Sequence, residues 1–275
     1  MKHVLKLFGI ACVLAASLFS ASAFADAIEE IKKKGTLIVG TKADYPPYGF
    51  LDASGKIIGM EPDMAADVAK RLGVKLELVP TVASNRMQFL QQGKIDLMIS
   101  TMSVNEERKK VVGIIEPYYY ASGVGILVNK KANVKSAADL KGKPVCAIQG
   151  AFYNNRIQSE FTGQDLVAFK GVPENEAALL NGQCVGFVYD DVLLIYKKEN
   201  EGDKWKDFEV VILKEFAPVP WGLAVKLEEK DTAWGKFMAE TTADWLKSGT
   251  LLALEKKWLG QNTEWLIEAS KKAGM

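Results

Sequence analysis

The chain alternates short apolar runs with segments whose apolar residues recur every three or four positions. The first pattern predicts strands and the second amphipathic helices, and their alternation points to βαβ units in parallel sheets. Residues 36–40 read as an apolar strand. Over 63–72, Met64, Val68 and Leu72 share one helical face, and Gly73 stops the helix. Strands at 74–79 and 95–99 flank a short helix at 86–92. A further helix over 105–110 carries Glu106 and Glu107 in its first turn, where the helix dipole favours them.

A second set follows, with strands at 125–128, 145–148, 166–169, 185–189, 208–213 and 222–225 and helices at 154–161, 174–180 and 191–198. Ser136 and Asp139 have the spacing of a capping box. From Asp231 onward the pattern is helical, with breaks near Gly249 and Gly260. Two sets of this size predict two lobes rather than one sheet. Proline and extended residues interrupt the pattern at 117–121 and 215–220, the expected crossings. Residues 26–118 and 217–275 would then form one lobe, with 119–216 inserted as the second. Two crossings make a hinge that closes about one axis.

Residues 1–25 carry Lys2 and Lys6, an apolar stretch over 7–16, and Ala23-Phe24-Ala25 in the small-x-small pattern of a secretory cleavage site. The stretch is interrupted by serines and short for a bilayer span. A signal peptide cleaved after Ala25 and a soluble periplasmic product are therefore expected. Cleavage leaves 33 basic against 34 acidic residues, which gives no reason to expect nucleic acid as a partner. The one histidine, His3, leaves with the leader. That excludes Ser-His-Asp and Cys-His catalysis, histidine-ligated zinc and a histidine pH switch; no metal or cofactor is expected. Cys146 and Cys184 remain, either as two buried thiols or as a disulfide. A bridge across that separation is worth about 4 kcal/mol in the chain-entropy picture.

In open parallel sheets, ligands sit beyond the carboxyl ends of the strands. The residues just past the expected strands are unusually polar. They include Lys42, Asp44 and Tyr45, then Ser84 and Arg86, then Ser100, Thr101 and Ser103, with Arg108 one turn on. The second lobe offers Phe152 and Tyr153, and then Asp190 and Asp191. Thr101, Ser103 and the Arg108 guanidinium form a candidate carboxylate site, Asp190 a candidate ammonium acceptor and Tyr45 a candidate wall. By residue type alone, Arg108 is equally a surface charge and Asp190 equally a helix cap.

Several segments carry a resemblance: GTKADYPPY at 40–48, GMEPDM at 59–64, GKIDLMISTMSVNEER at 93–108, EPYY at 116–119, ADLKG at 138–142 and GFVYDD at 186–191. Together they resemble the family 3 extracellular solute-binding proteins, the polar amino-acid-binding proteins of ABC importers. The resemblance implies a type II, two-lobed Venus-flytrap fold, α/β, each lobe a mostly parallel sheet flanked by helices. It implies a monomer that closes on an amino acid and delivers it to a membrane permease. It also implies that Arg108, Thr101 and Ser103, with Ser100 beside them, hold the α-carboxylate, that Asp190 holds the α-ammonium and that Tyr45 covers the ligand.

Two features depart from the family or refine it. Gly150-Ala151-Phe152 stands where the family has Gly-Thr-Thr, so hydroxyls are replaced by backbone N–H groups and an aromatic surface. The segment ASNR at 83–86 resembles the Ser-x-Asn-Arg of glutamate and aspartate binders, and Lys42 is basic where those binders tend to be. If Arg86 and Lys42 face the cleft, charge favours a dicarboxylic or amide amino acid and disfavours a basic one. The alternative is an enzyme, since periplasmic cyclohexadienyl dehydratases resemble the same family; its candidate acids are Asp191 and Glu61.

Overall fold

The computed structural model describes residues 27–163 and 165–274. The expected signal peptide lies outside the described residues. Two five-stranded sheets form the two lobes. In the first the order is Lys75–Thr81, Thr36–Lys42, Leu97–Met98, Ala224–Val225 and Gly113–Ile114. In the second it is Val167–Phe169, Val145–Ile148, Gly186–Asp190, Val124–Asn129 and Phe208–Ile212.

The sheets are mixed rather than mostly parallel. Thr36–Lys42 runs parallel to both its neighbours, and Val145–Ile148 likewise to its own. Ala224–Val225 in the first sheet and Val124–Asn129 in the second pair antiparallel on both sides. These antiparallel strands directly follow the two crossings between sheets. A strand arriving from the other lobe enters without a crossover helix, so nothing forces it parallel to its neighbours. The crossings themselves, Tyr120–Ser122 and Val219–Trp221, pair antiparallel with Pro220 opposite Ala121.

The helix Met60–Leu72 illustrates how sequence becomes packing. Met64, Val68 and Leu72 are buried, and Gly73 closes the helix in the left-handed conformation. Its outer face is tied to the C-terminal helices by two indoles. Trp245 Nε1 donates to Asp67 Oδ2 and Trp258 Nε1 to Asp63 Oδ2, each at 2.7 Å. Each fully buried large apolar side chain contributes roughly 1.5–3 kcal/mol, and Trp221, Trp234 and Trp245 are all fully buried.

Smaller differences from the sequence expectation have local causes. The helix expected over 154–161 is one α-turn, Asn154–Arg156, followed by a π-helical stretch, Ile157–Thr162. The Ser136–Asp139 capping box forms, but it opens a short 3-10 helix, Ala137–Leu140. None of the described helices is long and apolar enough to cross a membrane.

Cys146 and Cys184 form a disulfide with their Cα atoms 5.6 Å apart. It joins the strand Val145–Ile148 to the loop before Gly186–Asp190. Replacing both cysteines by alanine is expected to cost about 2–4 kcal/mol of stability. Urea titration of the double variant reads this directly, and a loss below about 1 kcal/mol contradicts it.

Candidate functional site

Strand ends from both sheets meet over one small cavity. The first lobe contributes Ala83, Arg86, Thr101, Ser103 and Arg108, and the second Ala151, Phe152, Tyr153, Tyr189 and Asp190.

Arg108 lies on a single helical turn, Glu106–Lys109, capped by Asn105, whose Oδ1 accepts from the Arg108 N–H at 2.8 Å. Its guanidinium reaches back toward the sheet. Nη1 donates to the Ser103 carbonyl at 2.6 Å, and Nη2 crosses the cleft to the Gly150 carbonyl at 2.9 Å. Burial, with the Arg86 charge nearby, lowers its pKa to about 9. Even so it stays cationic at neutral pH, and only 6% of the residue is exposed.

Asp190 ends the strand Gly186–Asp190 and precedes the helix Asp191–Asn200. Its side chain makes no capping hydrogen bond. Instead Oδ2 accepts from the Tyr45 hydroxyl of the other lobe at 2.9 Å. Burial raises its pKa to about 7, against the lowering effect of the Tyr45 hydrogen bond and of both arginines. Tyr45 itself is held neutral, first by burial and then by the Asp190 charge, so its hydroxyl is a donor.

The Ser100–Thr101 turn is fixed from behind. Thr101 has φ 44°, a left-handed conformation that is strained for a β-branched residue, at a cost on the order of 1–3 kcal/mol. The fully buried Glu61 accepts from the Thr101 N–H at 2.7 Å and from the Tyr119 hydroxyl, while Arg86 Nη1 donates to the Ser100 carbonyl. Burial lifts Glu61 to about 6 despite these contacts. At Gly150, φ is 81° and an added Cβ would lie 3.1 Å from the backbone of Ala83 and Ser84 in the opposite lobe. The two lobes touch there, main chain to main chain.

Arg108, Asp190, Thr101, Ser103, Arg86 and Phe152 therefore line one cavity. Three expected site residues do not. Ser100 lies behind the wall, its hydroxyl 2.9 Å from that of Thr81. Tyr45 backs Asp190. Lys42 is fully buried and pairs with Asp44 at 2.8 Å, because an ammonium at the end of a central strand needs a counter-ion and Asp44 is two residues away. Tyr189, not singled out from sequence, lines the cavity and tilts against Tyr45 at a ring separation of 5.4 Å. Its position before Asp190, at the carboxyl end of a strand, was the available signal.

The profile of the bacterial extracellular solute-binding proteins, family 3, matches residues 37–261. The chain belongs to that family. Its relatives include the L-cystine-binding protein TcyJ of Escherichia coli K12, 32% identical, with 92% of this chain and 94% of that one covered. Among solved structures, an arginine-binding protein of T. maritima (the P235GK mutant) superposes with a TM-score of 0.76 at 31% identity, covering 86% of this chain and 100% of that one. The ancestral amino-acid-binding protein AncCDT-1, described as a precursor of cyclohexadienyl dehydratase, does so with a TM-score of 0.74 at 32% identity, covering 84% and 98%. Family 3 members are extracellular solute-binding components, and the two-lobed fold of this chain is theirs.

Because Asp190 is held at about 7 in the fold against 3.8 ordinarily, its contribution to stability is present at low pH and lost as pH rises through about 7. Glu61, held at about 6, acts in the same direction. The melting temperature of ligand-free protein is expected to fall between pH 5 and pH 8, and Asp190→Asn to flatten that fall. An unchanged pH profile in the variant contradicts the burial of this carboxyl.

Proposed function

We propose that this family 3 protein captures a free amino acid between its lobes in the periplasm and presents it to the permease of an ABC importer. It acts as a monomer, without a cofactor and without catalysis. One observation carries the reading: a guanidinium from one lobe and a carboxylate from the other line the same cavity. In this reading Arg108, with the Thr101 and Ser103 hydroxyls, takes the α-carboxylate. Asp190, oriented by Tyr45, takes the α-ammonium. Charge-assisted hydrogen bonds contribute roughly 1.5–3 kcal/mol each. Two such clusters with some apolar burial reach the ~8 kcal/mol of a micromolar complex.

The side chain is a dicarboxylic or amide one. The residues lining the cavity that carry charge are Arg86, Arg108 and Asp190, since burial holds Tyr153 and Tyr189 neutral, so with Asp190 ionised the lining carries one more positive charge than negative. A ligand with two carboxylates and one ammonium balances it. A cationic ligand of the kind named for the T. maritima neighbour meets Arg86 instead of a carboxylate, and like charges in a buried site repel strongly. A second reading has support of its own: Phe152, Tyr153 and Tyr189 with Ala83 and Ala151 make an apolar half suited to sulfur, and TcyJ is named for L-cystine. The dehydratase alternative finds less support, because neither of its candidate acids lines the cavity. Asp191 accepts from the Ser122 hydroxyl and the Gly123 N–H, and Glu61 from Thr101 and Tyr119.

A thermal-shift panel of amino acids on refolded, ligand-stripped protein identifies the ligand. Arg108→Ala is expected to abolish the shift while leaving the ligand-free melting temperature within a few degrees; an undiminished shift refutes the carboxylate role. Arg86→Ala is expected to weaken L-glutamate or L-aspartate by at least tenfold more than L-glutamine. Equal losses remove the case for a second carboxylate.

A further inference from the structure

We propose that Asp44, braced by Lys42, is a closure latch that sets the affinity for every ligand without touching one. The proposal deepens the capture reading and rests on it. Asp44 stands on the first lobe between Lys42 and Tyr45. Its Oδ1 meets the buried Lys42 ammonium at 2.8 Å, and its Oδ2 crosses to the second lobe, accepting from the Val172 N–H at 3.0 Å. Val172 is the first residue of the helix Val172–Leu180. The residue before it, Gly171, provides no side-chain cap. A helix leaves its first N–H groups unpartnered unless something outside supplies an acceptor, and here an acceptor comes from the other lobe.

The contact is distinct from those at the cavity. Tyr45 to Asp190 and Arg108 to Gly150 also join the lobes, but both involve groups that line the cavity. In the capture reading a ligand takes over those charges. Asp44, Lys42 and Val172 are not among the cavity-lining residues; Asp44 instead borders a separate crevice between Thr81 and Val82 on one lobe and Lys170 and Glu174 on the other. The local packing is built for close approach. An added Cβ at Gly171 would lie 2.6 Å from Glu174 Oε2 and 3.1 Å from Asp44 Oδ2. When the lobes separate, the bond to Val172 breaks, whereas the Lys42 pair, within one lobe, remains. The latch therefore favours the closed form alone. Since apparent affinity scales with the population of the binding-competent form, the latch raises affinity for all ligands by one factor.

Two variants remove the bond from opposite ends. Asp44→Ala deletes the acceptor. Val172→Pro deletes the donor at the first helical position, where proline is tolerated. Titration calorimetry with L-glutamate, L-glutamine and L-cystine is expected to show Kd raised about ten- to hundred-fold by either variant. The factor is the same for each ligand that binds, and the double variant is no worse than the single ones. A loss selective for L-glutamate overturns the proposal, since it would mean that the Lys42–Asp44 pair acts on the ligand's charge. Additive losses, or an unchanged Kd, overturn it too. Should the unaltered chain bind none of the three, the capture reading fails for them, and small-angle scattering of ligand-free protein decides the latch alone. A larger radius of gyration in both variants supports it, and an unchanged one overturns it.

Discussion

Taking Arg86, Arg108 and Asp190 out of water costs several kcal/mol for each ion, and only their proximity to one another and to hydrogen-bonding neighbours offsets it. The lining charges are divided between the lobes. The first lobe contributes both arginines, with the buried Glu61 near Arg86, and the second the aspartate, so the lining charges of opposite sign meet only where the two sheets face each other. The consequence is visible in Asp190, where burial outweighs two guanidiniums and holds the carboxyl near neutrality. A ligand carrying its own charges into that space removes a penalty the protein otherwise bears, which is how such a cleft couples binding to closure.

The scaffold keeps those charges from relaxing away. Glu61, from the first turn of the helix Met60–Leu72, grips the strained Thr101 and the Tyr119 hydroxyl. The same helix is tied on its other face to the C-terminal helices through Asp63 and Asp67. A turn that would drift to a commoner conformation is thus anchored through one rigid element to the far side of the lobe. On the second lobe, Asp191 binds Ser122 and Gly123 at the end of a crossing strand, so the helix that follows Asp190 is fixed to the hinge itself. The polar groups of the cleft rest on main-chain geometry and buried hydrogen bonds. Their positions do not depend on flexible surface contacts.

Much of this was legible along the chain because the relevant signals are local. Period-two and period-3.6 patterns placed most of the strands and helices within about three residues, missing the helix Ala27–Lys34 and the edge strand Gly113–Ile114 and misreading 154–161, while the Gly73 stop and the Ser136 capping box read correctly. The strand-end rule gathered Arg108, Asp190, Thr101, Ser103, Arg86 and Phe152, which do line one cavity. It failed for Lys42 and Ser100 because proximity to a strand end does not say which way a side chain turns. Both face neighbours inside the lobe: Lys42 meets Asp44 and Ser100 meets Thr81. Sheet direction was misjudged for a related reason. Apolar runs reveal a strand's existence, whereas its direction depends on where the chain has come from.

By itself, then, the sequence determined much of the inventory: most of the strands and helices, which charges stand at their ends, and that the one histidine is His3. Its family motifs determined the lineage. Only the tertiary structure decided which of those charges face one another, that Asp44 reaches a helix in the opposite lobe, and that Tyr189 and Tyr153 join the wall. The reason is range. Propensity and periodicity act over a few residues, whereas the partners of Tyr45, Asp44 and Arg108 lie 145, 128 and 42 positions away along the chain. Contacts that distant exist only once both lobes have folded and met.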